Sequence, residues 1–271
     1  VRIRPLTAGD LPQLLALTDA AHWNHLPEDW LRVLRLAGAD AWGVEHEGSL
    51  VASTTAVTYP GGAAWIGMVL THPDWRGRGV ARALMTHALD QLDSTGVTCQ
   101  KLDATDMGKP LYHSLGFEEL FAVERWEGLA VRFPPDPLPR VKLPDCLELD
   151  REAFREDRRA LLAELSGQQS ASLGSAGHAF ARDGKHARFF GPCVAMDAEC
   201  ARRLAQSLLS PHAGAKFYWD LIPGHTAASN LAKELGFRPV RRLVRMRRGC
   251  GTASEPWPQR KIFALAGFEF G

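Results

Sequence analysis

Apolar positions in this chain repeat with two periods, and each switch between them marks a new element. Arg2–Leu6 alternates and predicts a strand. Leu11, Leu14, Leu15 and Leu17 share one helical face behind a potential cap at Asp10. Pro27 stands at a plausible first helical position ahead of Leu31, Val33 and Leu34. Ala41–Glu45 and Leu50–Thr58 read as a strand pair across Glu47-Gly48, and Ala64–Thr71 as a further apolar strand. Val80, Leu84, Met85, Ala88, Leu89 and Leu92 then define an amphipathic helix. Cys99–Ala104 predicts a strand, Lys109–Leu115 a short helix, and Phe117–Val131 one or two closing strands.

A similar order follows downstream. Arg151–Leu165 is helical by spacing, His178–Arg182 and Arg188–Met196 read as strands, and Ala201–Leu209 as a helix. Lys216–Ile222, Ala227–Leu235 and Val240–Met246 give strand, helix and strand, with Ile262–Phe268 as a last apolar strand. Leu115-Gly116-Phe117 recurs as Leu235-Gly236-Phe237 at the matching place, which points to a divergent repeat. Between the repeats, Pro134, Pro135, Pro137, Pro139 and Pro144 exclude helix interiors and central strands, so 133–145 reads as an extended linker. The expected organisation is an α/β chain with mixed sheets in two units, 1–132 and 146–271.

Composition narrows the function classes. A chain of 271 residues with formal net charge +1 has no global field for nucleic acid or an anionic membrane. No apolar run approaches the roughly 20 residues of a membrane span, and no secretory hydrophobic region follows the first strand. The five cysteines are scattered without a CxxC pair, which argues against a disulfide framework or zinc site and for a reducing cytoplasm. Arg238, Arg241, Arg242, Arg245, Arg247 and Arg248 alternate with apolar residues and read as the wet face of an edge strand rather than an anion patch.

The chemistry concentrates between Trp65 and Leu92. A strand ends at Thr71, Pro73 turns the chain, and Arg76-Gly77-Arg78-Gly79-Val80-Ala81 leads into a helix. Glycines let the backbone approach a ligand, and a helix start offers unpaired amides with partial positive charge. Together with Arg76 and Arg78 this is a pyrophosphate cradle. A P-loop is excluded because no GxxxxGK[ST] occurs, and the GxG lacks the third glycine of a dinucleotide fingerprint.

Met68 through Ala81 resembles the acetyl-CoA motif of the GCN5-related N-acetyltransferase (GNAT) superfamily, Arg/Gln-x-x-Gly-x-Gly/Ala. His22-Trp23-Asn24, Trp65-Ile66-Gly67-Met68, Leu102-Asp103-Ala104-Thr105 and Gly267-Phe268-Glu269-Phe270-Gly271 resemble a bacterial group with two tandem domains of that kind. The resemblance implies two tandem acyl-CoA N-acyltransferase domains and acetyl-CoA as co-substrate. It implies that Val69, Leu70 and Thr71 pair with the pantetheine arm, that amides of Arg76 through Ala81 hold the pyrophosphate, and that Thr105 lies on the donor side. Tyr112 falls where the superfamily often has a general acid, and a phenol with pKa about 10 is protonated at neutral pH. Thr105 and Gly108 replace the asparagine and alanine often found before that tyrosine. Asp103, His22 and His25 are candidate bases, beside a water relay. His22, Trp23 and Asn24 match one wall of the acceptor pocket, whereas Trp30, Trp65 and Trp75 read as packing residues. His22-x-x-His25 lacks a third metal ligand, so no metal is expected.

In the second half, the segment aligned with the loop is Val194-Ala195-Met196-Asp197-Ala198-Glu199-Cys200-Ala201, and Ala232 stands at the Tyr112 position. Carboxylates where phosphate would lie repel an anion. The expectation is one cofactor site per chain and a degenerate C-terminal domain. The expected activity is acetyl transfer to a primary amine of a small molecule or peptide. The alternatives are a non-catalytic acyl-CoA sensor and a nucleotide-phosphate binder.

Overall fold

The computed structural model describes residues 2–250 and 259–271. In the first half, β1 (Arg2–Pro5), α1 (Leu11–Ala20), α2 (Pro27–Ala37), β2 (Ala41–His46), β3 (Ser49–Tyr59) and β4 (Ala63–Thr71) follow in order. They are succeeded by α3 (Val80–Ser94), β5 (Cys99–Ala104), α4 (Lys109–Ser114) and β6 (Glu118–Leu129). The second half contains α5 (Leu143–Phe154), α6 (Arg159–Leu165), β7 (Gln169–Ser172), β8 (Gly177–Arg182) and β9 (Arg188–Ala195). After these come α7 (Ala198–Leu209), β10 (Lys216–Leu221), α8 (Thr226–Glu234), β11 (Arg238–Arg248) and β12 (Ile262–Ala264).

The halves share one mixed 12-stranded sheet in the order β1-β2-β3-β4-β5-β11-β6-β10-β9-β8-β7, with β12 beside β9. The centre is exchanged. β11 of the second half lies between β5 and β6 of the first, while β6 pairs on its other side with β10. Each half therefore donates its last long strand to the other's sheet.

This corrects the reading of the arginine-rich strand, which is central rather than an edge. Its arginines find acids across the register: Arg245 meets Asp103 on β5, and Arg238 meets Glu127 on β6. Alternation identified the strand correctly, but the partners that make such a strand tolerable inside a sheet lie on other elements. The same antiparallel register brings the end of β11 to the start of β5, and Cys99 and Cys250 form a disulfide. The scattered cysteines, which argued against a disulfide framework, still yield this one bridge, because two cysteines 151 positions apart become neighbours only through the exchange.

Smaller differences have local causes. The helix expected over Arg151–Leu165 breaks at Arg155, which takes φ +62°, and its first part begins at Leu143 with Pro144 in the first turn. Strand β7 was not legible in the sequence, and the strand expected over Ile262–Phe268 is regular only to Ala264.

Trp30 and Trp65 are buried in the core, as expected of packing residues, and Trp75 is partly buried. In α3 the residues Val80, Leu84, Met85, Ala88, Leu89 and Leu92 are all buried, so the amphipathic face packs on the sheet.

Candidate active site

The site begins where β4 and β5 part. Parallel pairing holds only at Ala63–Trp65 against Cys99–Lys101, and beyond it the strands diverge. Met68 adopts φ +51°, and the β3–β4 register shifts between Ser53 and Thr55. The β4 edge of Val69, Leu70 and Thr71 therefore faces a gap instead of a neighbouring strand.

The gap leads to the start of α3. Gly77 and Gly79 take φ of +73° and +77°, a region that side-chain-bearing residues rarely adopt. The first intrahelical bond at this end runs from the Ala83 N–H to Gly79 O at 3.0 Å. The amides of Val80, Ala81 and Arg82 are thus open, and no side chain caps the helix. The Arg76 Nε donates to Thr71 O at 3.3 Å, and the Arg78 guanidinium sits 5.0 Å from the Trp75 ring centroid. These groups fit a pyrophosphate.

One cavity of about 870 Å³ joins this cradle to the interior. It is lined by Val69, Leu70 and Thr71, by Arg76, Gly77, Gly79, Val80 and Ala81, and by Asp103, Thr105 and Tyr112. His22, Trp23 and Asn24 line it too, so of the residues expected from the sequence to form the site only Arg78 falls outside the lining.

The geometry separates their capacities. Tyr112 is buried, and burial pushes its phenol up to about 12, so the hydroxyl keeps its proton at neutral pH. A Cβ on Gly108 would come within 2.8 Å of the Tyr112 ring, so glycine in place of alanine makes room for it. Thr105 Oγ1 accepts from the Gly108 N–H at 3.3 Å and shapes the same turn.

Asp103 has no solvent-exposed side chain and accepts from Arg245 Nε and Nη2 at 2.9 and 3.0 Å. Burial raises its pKa against the pull of that guanidinium. Asn24 is committed as well: its Oδ1 accepts from the His186 and Ala187 amides at 2.7 and 3.0 Å, and its Nδ2 donates to Ala187 O at 2.9 Å. It clasps the second half to the first.

The far end of the cavity holds residues that sequence reasoning did not assign to the site: Arg125, Tyr218, Arg241, Phe268 and Glu269. Most come from the second half or the tail, and only the strand exchange brings them here. Trp65 Nε1 donates to Phe268 O at 2.9 Å, and the Tyr59 hydroxyl donates to Phe270 O at 2.8 Å. Glu269 passes so close to Gly67 that a Cβ there would lie 2.9 Å from its Cα. In the sequence the tail stands out only by resemblance, and a lone glutamate between aromatic residues carries no signal of its own.

Among the described residues, no group of three or more His, Cys, Asp or Glu is placed to hold a metal, and no helix is long and apolar enough to cross a membrane.

The chain belongs to the GNAT superfamily as a tandem protein: models described as acetyltransferase (GNAT) domain match residues 37–119 and again 146–264. A solved putative acetyltransferase from Pyrococcus horikoshii superposes with TM-score 0.87 at 19% identity, over 100% of this chain and 95% of that one. A GCN5-related N-acetyltransferase from Sphaerobacter thermophilus gives TM-score 0.68 at 15% identity, over 91% and 95% of the two chains. A tandem GNAT protein of the clavulanic acid biosynthesis pathway gives 0.65 at 18%, over 93% and 99%. No curated protein matches the chain.

Proposed function

We propose that this protein is an acetyl-CoA-dependent N-acetyltransferase acting on a primary amine of a small molecule or peptide, with one cofactor site per chain within residues 1–132. The observation that carries the reading is a single cavity joining a splayed strand edge, an uncapped helix start and the buried Tyr112.

Acetyl-CoA supplies an activated acetyl group as its thioester. The main chain of Val69, Leu70 and Thr71 pairs with the pantetheine arm as an added strand. Amides from Arg76 to Ala81 hold the pyrophosphate, with Arg76 and Arg78 supplying charge. Thr105 lies beside the donor and keeps the turn that seats Tyr112.

Tyr112 protonates the departing thiolate. Its proton is present at neutral pH because burial disfavours the phenolate. Asp103 faces the cleft, but both its oxygens are engaged by Arg245. Taking a proton there would break a buried ion pair, so we read Asp103 as a positioning residue that fastens β11 to β5. His22 and Trp23 form one wall of the acceptor end, and Asn24 holds that wall in place.

The second half binds no cofactor on this reading, because its corresponding groove is filled and its helix start capped. The test is turnover of acetyl-CoA against a panel of amines. Tyr112→Phe is expected to lower kcat about 100-fold while the calorimetric affinity for CoA stays unchanged. Tight CoA binding without acetylation of any amine would sink the enzyme reading in favour of a sensor. Displacement of CoA by ATP would favour a nucleotide-phosphate site.

A further inference from the structure

The acceptor end of the cavity carries two charged groups that the protein itself leaves incompletely matched. On the sheet, Arg125 of β6 and Arg241 of β11 are register partners. Asp220 satisfies only the first: its two oxygens accept from Arg125 Nε and Nη2, each at 2.7 Å. Arg125 is further fixed against aromatic faces, with Phe268 at 4.7 Å and Tyr218 at 5.0 Å. Arg241 has no carboxylate partner among the described residues, although it lines the same cavity. Two like charges opposed on neighbouring strands repel. Of the two guanidiniums only Arg125 is hydrogen-bonded to a carboxylate, and Arg241 presents its charge to the cavity.

The opposite sign stands on the tail. Glu269 is only 5% exposed. Its Oε1 accepts from Arg182 at 3.2 Å and lies 4.0 Å from His25 Nε2. Its Oε2 accepts from no protein donor among the described residues, and the residue lines the cavity. Arg182 is itself shared with Asp29, which also pairs with Arg32 at 2.7 Å. Burial lowers the pKa of His25, so the ring beside Glu269 is neutral near pH 7.

We infer that the acceptor is an amine bearing an anionic group, a carboxylate or a phosphate, whose anion is held by Arg241 and whose ammonium lies at Glu269. The inference rests on the acetyltransferase reading above. The substrate enters as R–NH3⁺ and gives one proton to Glu269 Oε2. The free amine forms the C–N bond to the acetyl carbon as the C–S bond breaks. Sulfur takes a proton from Tyr112. The second nitrogen proton leaves to solvent, and Tyr112 and Glu269 return to their starting states by exchange with water. The net change is one acetyl moved from sulfur to nitrogen, one thiol formed and one proton released. A neutral amine lacking the anion leaves Arg241 unpaired, and an acid lacking the amine meets Glu269 with like charge. Selection is therefore made at both ends.

The experiment is calorimetric titration of the CoA-loaded protein with matched probes. One set is α-amino acids, their carboxamides and their decarboxylated amines, and the other is phosphoethanolamine with ethanolamine. The anionic member of at least one set should bind about 10- to 100-fold more tightly than its neutral counterparts. Which set responds distinguishes carboxylate from phosphate. Arg241 is solvent-accessible, so Arg241→Gln should fold, erase that preference and leave CoA affinity unchanged. If anionic and neutral members are indistinguishable, through equal binding or none, the inference is overturned. If Arg241→Gln weakens CoA itself, it is overturned as well, because the arginine then belongs to the cofactor. Acetylation of the same probes is scored separately. A binding preference without turnover upholds the ligand class and refutes the transferase.

Discussion

The two halves part their strands in the same way and treat the opening differently. In the first, β4 and β5 diverge and the gap stays open as part of the cavity. In the second, β9 and β10 pair only from Arg188 to Phe190, and the chain's own β12 enters the gap. The Leu265 N–H donates to Asp220 O at 2.8 Å, and Trp219 Nε1 donates to Phe263 O at 2.7 Å. The helices behind the two gaps differ as well. α3 starts at Gly79 with no side-chain cap, whereas Asp197 caps α7 by accepting from the Cys200 N–H at 2.8 Å. One half leaves the amides at its helix start without a side-chain cap, and the other satisfies the same groups internally. A filled groove is the more stable solution, and an open one is the cost of binding a ligand.

The strongest way to break this contrast is at the plug. Phe263 is buried in the second core, so Phe263→Ala should cost about 3–5 kcal/mol in urea unfolding and still create no second CoA site. A stoichiometry of two CoA per chain in that variant would show that the tail alone blocks the site.

Next in size is an exchange of caps. Gly79→Asp puts a carboxylate where α7 has one, at a φ that aspartate adopts with strain, and should weaken CoA binding about 100-fold or more. Asp197→Ala should gain no CoA affinity and lower the melting temperature slightly. Unchanged CoA affinity in Gly79→Asp would move the pyrophosphate away from this helix start.

The smallest effect is in pH. Burial lowers the pKa of His25 in the first half and of His225 in the second, where its Nδ1 lies 2.9 Å from Ile262 O. Unfolded histidines take up protons near pH 6.5 while the folded ones remain neutral, so the unfolded state binds more protons below that pH. Stability is therefore complete above about pH 6.5 and declines as pH falls, by at most about 1.4 kcal/mol per unit per histidine. Replacing both with glutamine should flatten the acid limb, and a limb left intact would assign it to other groups.

How far the sequence reached follows the same division. The glycine loop and its surroundings were legible because their elements are local: Arg76 to Ala81, the strand before and the helix after lie within one short stretch. The far end of the cavity was not, because it is assembled at long range. Arg125, Arg241 and Glu269 stand on three elements, and β11 read as an outer strand while the acids that pair with its arginines were unlocated. Cys99 and Cys250 were illegible as a pair for the same reason. Asn24 stands out in the sequence only by resemblance, and spacing cannot show its hydrogen bonds to 186 and 187.

The strand exchange also governs how the molecule can be divided. A cut in the proline-rich stretch would not release two self-sufficient proteins. The first fragment would keep β6 but lose β11, the strand that lies against β5, and the second would lose β6, the strand that lies against β10. Each fragment would carry a bare sheet edge shaped for the other, so both would need to be present for either to become whole. The half without a cofactor groove is in this sense a permanent tenant. It supplies Tyr218 and Arg241 to the wall of the cavity in its neighbour, so the loss of either half would open the other.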